Sequence, residues 1–297
     1  MTPEGYIGRT ISAPDGLKLH ARDYTASDAG ALPVVCLPGL TRTAADFHGL
    51  ATALSRAERP RRVVAIDYRG RGLSEYDRNP RNYSALVELA DVRAVLTALE
   101  VAPAIFIGTS RGGILTMLLA AAQPGALAGA VLNDIGPVIE AKGLARIKGY
   151  VGKLPQPRDM AEAGRILKRL FDAQFPKLSD DDWCDAAALT WHLSDGRPVL
   201  SYDPNLAATL KDVDIEHAIP TLWPQFDALG GLPVMVIRGL LSDLLSAEAV
   251  EAMRTRHPGL EVVEVPDEGH PPALGTPRMI ATLSAFCLTC DRATHRT

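Results

Sequence analysis

The 297-residue chain is predicted to be an α/β protein, a mostly parallel sheet with helices on both faces. Short apolar runs alternate with helical patterns in its first half and again after residue 232. These runs are apolar throughout, as strands buried on both faces are, rather than alternating with polar residues. Between them lies one stretch of roughly 95 residues with helical patterns and no convincing strand, long enough to be an inserted unit. With 47% hydrophobic and 22% charged residues the composition is that of an ordinary folded domain, not a disordered chain.

Tyr6–Ser12 and Leu17–Tyr24 read as a hairpin turned at Asp15-Gly16. Pro33–Leu37 is a buried strand, Phe47–Arg56 a helix and Arg62–Ile66 the next strand. Tyr83–Leu99 is an amphipathic helix with Leu86, Leu89, Ala90, Leu96 and Leu99 near one face. Ala104–Ile107 is a strand, and Gly112–Ala122 is so apolar that it predicts a buried helix. Ala128–Leu132 is the last strand before the insert. Helices are expected there over Pro137–Val151, Arg158–Phe175, Ser179–Leu193 and Thr221–Leu229. The strand rhythm resumes with Pro233–Ile237, followed by helix Ala247–Arg256, strand Glu261–Val265 and helix Pro277–Leu288. The expected division is a core of residues 1–135 and 232–297 with a helical cap, or lid, over 136–231.

Several function classes are disfavoured at once. The net charge is −4 and no long basic run occurs, so no nucleic-acid footprint is expected. The opening MTPEGYIGRT lacks the basic-then-apolar pattern of a secretory signal, and Gly112–Ala122 is too short to cross a bilayer. A cytoplasmic protein with no membrane partner is therefore expected. Four cysteines do not make a disulfide framework, and the single Cys287-x-x-Cys290 reads as two thiols on one helix rather than a metal site. Charge within the insert is segregated. Residues 140–170 carry eight Lys and Arg against three Asp and Glu; residues 172–227 carry three against eleven. Solvated faces that attract each other explain this, and a basic surface attracting an anionic substrate is the sharper reading.

The chemistry centres on Gly108-Thr109-Ser110-Arg111-Gly112, a G-x-S-x-G between an apolar strand and an apolar helix. A serine at such a sharp turn is strained, and the flanking glycines avoid the clashes. Its hydroxyl would project from the carboxyl edge of the sheet at the positive end of a helix. It needs a base, and His270, in Gly269-His270-Pro271 after the last strand, is the histidine whose context fits. His20, His48, His192, His217, His257 and His295 have no comparable setting. Asp243, following the strand 233–237, is the preferred orienting acid. Asp134, following 128–132, competes with it, but reads more readily as a helix cap. The backbone N–H groups of Leu40, in the Pro38-Gly39 turn, and of Arg111 are the expected oxyanion donors.

With these residues in place the chain resembles the α/β-hydrolase superfamily, over nearly its whole length. The N-terminal hairpin, LPGL (37–40), AIDYRGRGLSEYD (65–77), GTSRGG (108–113), RGLLSD (238–243) and EGHPPAL (268–274) occur in that family's order. The resemblance implies an eight-stranded, mostly parallel sheet with a cap, and hydrolysis through an acyl-enzyme or a related carbonyl reaction. It implies nucleophile, acid and base in the order Ser110, Asp243, His270. Pro38-Gly39 replaces the His-Gly of many relatives, and Arg111 stands where Met, Leu or Gln is commoner. Ser110 argues against the halide- and epoxide-cleaving branches, which use Asp.

The expected activity is that of a serine hydrolase acting on small carboxylic esters, lactones or related acyl compounds, without metal or organic cofactor. A C–C bond hydrolase of vinylogous diketones is the alternative, and a non-catalytic ligand receptor on the same fold a more distant one. The expected partner is a small acyl molecule, anionic if Arg42 or Arg111 binds it, apolar or aromatic if Trp183, Trp191 and Trp223 face it. Otherwise Arg111 would brace loops by pairing with Asp46 or Asp67, and the tryptophans would pin the lid to the core. A monomer or homodimer is expected.

Overall fold

Local turn chemistry and strand burial account for the architecture in the computed structural model, which describes residues 5–26, 30–211 and 219–294. His217, His295 and residues 1–4 lie outside the described residues. β1 (Ile7–Ser12) and β2 (Lys18–Tyr24) form the antiparallel hairpin, with Gly16 at φ +91° in its turn. The chain continues through β3 (Val34–Leu37), α1 (His48–Ser55), β4 (Val63–Asp67), α2 (Ala85–Leu99), β5 (Ala104–Thr109), α3 (Arg111–Ala122) and β6 (Leu127–Asn133). The insert supplies α4 (Ala141–Tyr150), α5 (Met160–Phe171), α6 (Asp180–Thr190), β7 (Trp191–Ser194), β8 (Arg197–Leu200), α7 (Ala208–Lys211) and α8 (Trp223–Asp227). β9 (Val234–Gly239), α9 (Ala247–Arg256), β10 (Glu261–Val265) and α10 (Pro277–Thr294) complete the core.

The eight-stranded sheet has the order β1-β2-β4-β3-β5-β6-β9-β10 and is parallel from β4 to β10. Every residue of β3, β4, β5, β6 and β9 is buried. Successive side chains enter opposite layers: Val35, Leu37, Val64 and Ile66 pack on one side, Val34, Cys36, Val63 and Ala65 on the other. That two-sided burial makes the strands apolar throughout, at about 1.5–3 kcal/mol per large apolar side chain withdrawn from water. From β3 the chain steps to β4 on one side and then to β5 on the other. The strand order reverses there, so the loops leaving β3 and β5 part and open a crevice at their carboxyl ends.

Two expectations fail instructively. Leu86 is 71% exposed, and the buried positions of α2 are Glu88, Asp91, Val92, Val95 and Leu96. The helix turns two carboxylates inward because arginines wait for them: Asp91 meets Arg69, and Glu88 meets Arg71 and Arg111. The insert is not purely helical either. α6 stops at Thr190, and Trp191–Leu200 forms the hairpin β7–β8 around Asp195 (φ +50°) and Gly196 (φ +75°). This Asp-Gly is the same turn signal that marks the first hairpin.

Trp183 and Trp191 lie inside a small core belonging to the insert, with Ala163, Ile166, Leu167 and Ala187. Lys168 meets Asp180 at 2.7 Å across the exposed face between α5 and α6, so part of the segregated charge is used within the insert. No helix among the described residues is long and apolar enough to cross a membrane. Cys287 and Cys290 are free and buried, and burial pushes both thiols up in pKa.

Candidate active site

Ser110 sits between β5 and α3 with φ 51° and ψ −110°, a strained conformation for a residue with a side chain. Neighbouring contacts enforce it. Its N–H continues the β5–β6 ladder to the Asn133 carbonyl at 3.0 Å, while the carbonyls and amides of α3 begin immediately behind it. The glycines make that approach possible. A Cβ on Gly108 would strike the Gly112-Gly113 backbone, and one on Gly112 would strike the Leu37 carbonyl. One on Gly39 would lie 3.9 Å from Ser110 Cβ, so the loop after β3 runs directly beside the serine.

His270 arrives on the loop after β10. The Glu268 carboxylate closes that loop on the Ala273 N–H (2.8 Å), and Asn133 Nδ2 donates to the Pro272 carbonyl (3.1 Å). His270 Nε2 is 3.0 Å from Ser110 Oγ, and its Nδ1 is 2.8 Å from Asp134 Oδ2. A carboxylate only accepts, so Nδ1 carries the proton and Nε2 is free to accept from the serine hydroxyl. Asp134 is wholly buried at the end of β6 with φ +52°. It also accepts from the Gly239 N–H (2.9 Å) and from Ser242 Oγ (2.5 Å).

Asp243, the aspartate preferred from sequence, is not in this line. It takes a bidentate pair from Arg146 of α4, 2.8 Å at each oxygen. Burial raises its pKa, but hydrogen bonding and charge from Arg146, joined by the Gln174 side chain and a backbone hydrogen bond, together outweigh it and hold the carboxyl below its usual range. The displacement has a local cause. The loop after β9 turns back through the Ser242 N–H to the Gly239 carbonyl, which leaves the Ser242 hydroxyl beside Asp134 and carries Asp243 toward the insert. Sequence reasoning passed over Ser242. Along the chain the three hydrogen-bonded residues fall in the order Ser110, Asp134, His270.

The other described histidines have different partners. His20 meets Asp67 at 2.7 Å, His48 the Tyr24 hydroxyl at 2.9 Å, His192 the Ser201 hydroxyl at 3.4 Å, and His257 the Leu232 carbonyl at 3.1 Å.

Leu40 follows Gly39 in the loop that runs beside the serine, and Arg111 is the first residue of α3. Among the described residues neither backbone N–H is taken up by a loop carbonyl or a side chain. The arginines proposed to greet an anion are already engaged. Arg42 holds Asp46 through Nε (2.7 Å) and Nη2 (3.0 Å) and donates Nη1 to Thr190 Oγ1 (2.8 Å). Arg111 holds Glu88 (2.7 Å) and the Tyr83 carbonyl (3.1 Å), not Asp46 or Asp67. Trp183 and Trp191 are buried within the insert, and Trp223 lies under the Arg256 guanidinium at 4.6 Å.

An eight-stranded, largely parallel sheet with a buried histidine joining a strand-end serine to a strand-end aspartate is the architecture of a hydrolase. Residues 34–283 match the alpha/beta hydrolase family, and the chain belongs to that family. It is 33% identical to a 3-hydroxybutyrate-oligomer hydrolase of Cupriavidus necator over 92% of this chain and 94% of that one. A 2-(acetamidomethylene)succinate hydrolase of Mesorhizobium japonicum is 27% identical over 78% of this chain and 79% of its own length. The crystal structure of an alpha/beta hydrolase from Novosphingobium aromaticivorans superposes with a TM-score of 0.86 at 38% identity, covering 96% of this chain and 98% of that one. The protein is a hydrolase.

Proposed function

We propose that this hydrolase cleaves carboxylic esters of small acids through a covalent intermediate on Ser110. The observation that carries the proposal is the unbroken line Ser110–His270–Asp134, with Asp134 fully buried and bonded by neutral donors as well as by the histidine. Ser110 Oγ attacks the acyl carbon as His270 Nε2 takes its proton, and Asp134 stabilises the imidazolium formed. The oxyanion is received by the N–H groups of Leu40 and Arg111. The ester C–O bond then breaks, and the alcohol leaves with the proton from His270. Water attacks the acyl-serine by the same relay run in reverse and releases the acid.

Residues 136–231 act in this reading as a lid. The Thr190 contact to Arg42 and the packing of Gln174 against Gly269 bring the insert onto loops that carry the site. Esters of short hydroxy acids, oligomers of 3-hydroxybutyrate among them, are the first substrates to try, given the relative that spans most of this chain.

The test is intact mass after treatment with a fluorophosphonate, with the adduct mapped by peptide. One adduct on Ser110, lost in Ser110→Ala together with turnover, is expected; an adduct elsewhere, or retained turnover, sinks the proposal. A panel setting p-nitrophenyl esters against a vinylogous diketone then decides the bond cleaved, and the ester reading requires the esters to win.

A further inference from the structure

Beneath the serine lies a charged cluster that the Ser110–His270–Asp134 line does not use. Glu88 points inward from α2, and its side chain is fully buried. One of its oxygens, Oε2, accepts from Arg111 Nε at 2.7 Å. The other, Oε1, lies 2.6 Å from Arg71 Nη1 as an ion pair, and that nitrogen also donates to the Arg69 carbonyl at 2.7 Å. Arg71 is itself fully buried, and its Nε donates to the Leu40 carbonyl at 2.8 Å. Burying so many charges is costly, and removing one partner of such a group leaves the others uncompensated. The next arginine, Arg69, is held by Asp15, Asp77 and Asp91.

The two arginines bound by Glu88 hold the loop after β3 and the start of α3. Arg111 carries one of the N–H groups assigned to the oxyanion, and its guanidinium is tied to Glu88 and the Tyr83 carbonyl. The other N–H belongs to the Gly39–Leu40 peptide, and the peptides on either side of it are pinned. Tyr68 donates its hydroxyl to the Pro38 carbonyl at 3.2 Å, and Arg71 donates to the Leu40 carbonyl. With both neighbours held, the middle peptide keeps its plane, and its N–H keeps its aim. Arg71 also lies over the rings of Tyr68 and Tyr83, at 5.5 and 5.6 Å.

We infer that Glu88 is a positioning residue for the oxyanion hole: through Arg71 and Arg111 it sets the relative placement of the Leu40 and Arg111 N–H donors. The inference rests on the Ser110 reading above and goes beyond it by assigning a role to a residue that touches no substrate. Preset donors contribute because they need not reorganise as charge develops, so loosening them slows the chemical step and spares ground-state binding.

The experiment compares wild type, Glu88→Gln and Arg111→Met on p-nitrophenyl acetate and with an aryl trifluoromethyl ketone, which forms a hemiketal oxyanion on the serine. Circular dichroism and thermal melting report the folded fraction. For folded Glu88→Gln, kcat should fall about 10- to 100-fold with KM within about threefold, since outright loss of one donor costs about 10²–10³. The trifluoromethyl ketone Ki should rise in parallel with the fall in kcat. Arg111→Met keeps the backbone N–H and releases one arm of Glu88, so a smaller change in the same two quantities is expected. A folded Glu88→Gln with unchanged kcat and Ki overturns the inference, as does a loss that merely tracks the folded fraction. Should Glu88→Gln not fold, Arg111→Met decides, and unchanged kcat and Ki in that variant overturn the inference. Absence of a fluorophosphonate adduct on wild-type Ser110 would instead remove the Ser110 reading itself. A labelled wild type with unaffected variants removes only the role of Glu88.

Discussion

Two aspartates stand at the carboxyl ends of neighbouring strands, Asp134 after β6 and Asp243 beyond β9, and their surroundings differ in kind. Asp134 is bonded by a backbone N–H, a serine hydroxyl and His270, and among the described residues no arginine or lysine hydrogen-bonds to it. Asp243 is clasped at both oxygens by Arg146. A carboxylate held by neutral donors keeps its charge available, so it can stabilise an imidazolium that appears during reaction. One clasped by a guanidinium has spent that charge on a permanent partner. On the proposed mechanism the first strand end serves chemistry, while the second fastens α4 of the insert to the sheet.

The largest test of this contrast is Asp134→Asn. The amide can present its N–H to Nδ1 and force the wrong tautomer on His270, so kcat should drop about 10³- to 10⁴-fold, as in the serine proteases that define the triad. Steady-state kinetics with a melting control measures it, and a drop below tenfold would break the contrast. Ser242→Ala comes next. It removes one of the neutral bonds to Asp134 Oδ2, and hydrogen bonds to charged groups are worth about 1.5–3 kcal/mol. A kcat lower by about tenfold, with Asp134 still in contact with His270, would show that those neutral donors are part of the acid's setting.

Asp243→Asn should have the smallest effect on catalysis, a change in kcat within about threefold. Its cost falls on stability. The Arg146 guanidinium loses its carboxylate, and the expected destabilisation in chemical unfolding is about 1–3 kcal/mol. The pH dependence has a definite sign. The folded pKa of Asp243 lies below its ordinary value, so its contribution is present above the ordinary carboxylate range and is lost as pH falls through the lowered pKa. Wild type and Asp243→Asn should therefore differ in stability at neutral pH and converge in acid. Equal stability at neutral pH would deny Asp243 its structural role.

Much of this was legible in the residues themselves. The strands of the core, the first hairpin and the buried α3 follow from runs of apolar residues, an Asp-Gly turn and a glycine pattern, all of them local signals. The second hairpin carried an equally local signal in Asp195-Gly196, masked by helical patterning that runs up to it from α6. The inward face of α2 had no local signal. Periodicity read from apolar residues cannot identify a face on which Glu88 and Asp91 are buried, because the arginines that make their burial tolerable come from other segments.

Sequence alone determined the sheet class, the insertion between β6 and β9, and the prominence of Ser110 and His270, because turn chemistry and hydrophobic period act over a few residues. Only the tertiary structure put Asp134 beside His270 and gave Arg42, Arg111 and Arg146 their carboxylate partners. Asp134 is 136 residues from His270, and Arg146 is 97 from Asp243. Which charge meets which partner over such separations is settled by the packing of the sheet and the insert, since an ion pair forms only where folding has already brought both groups together.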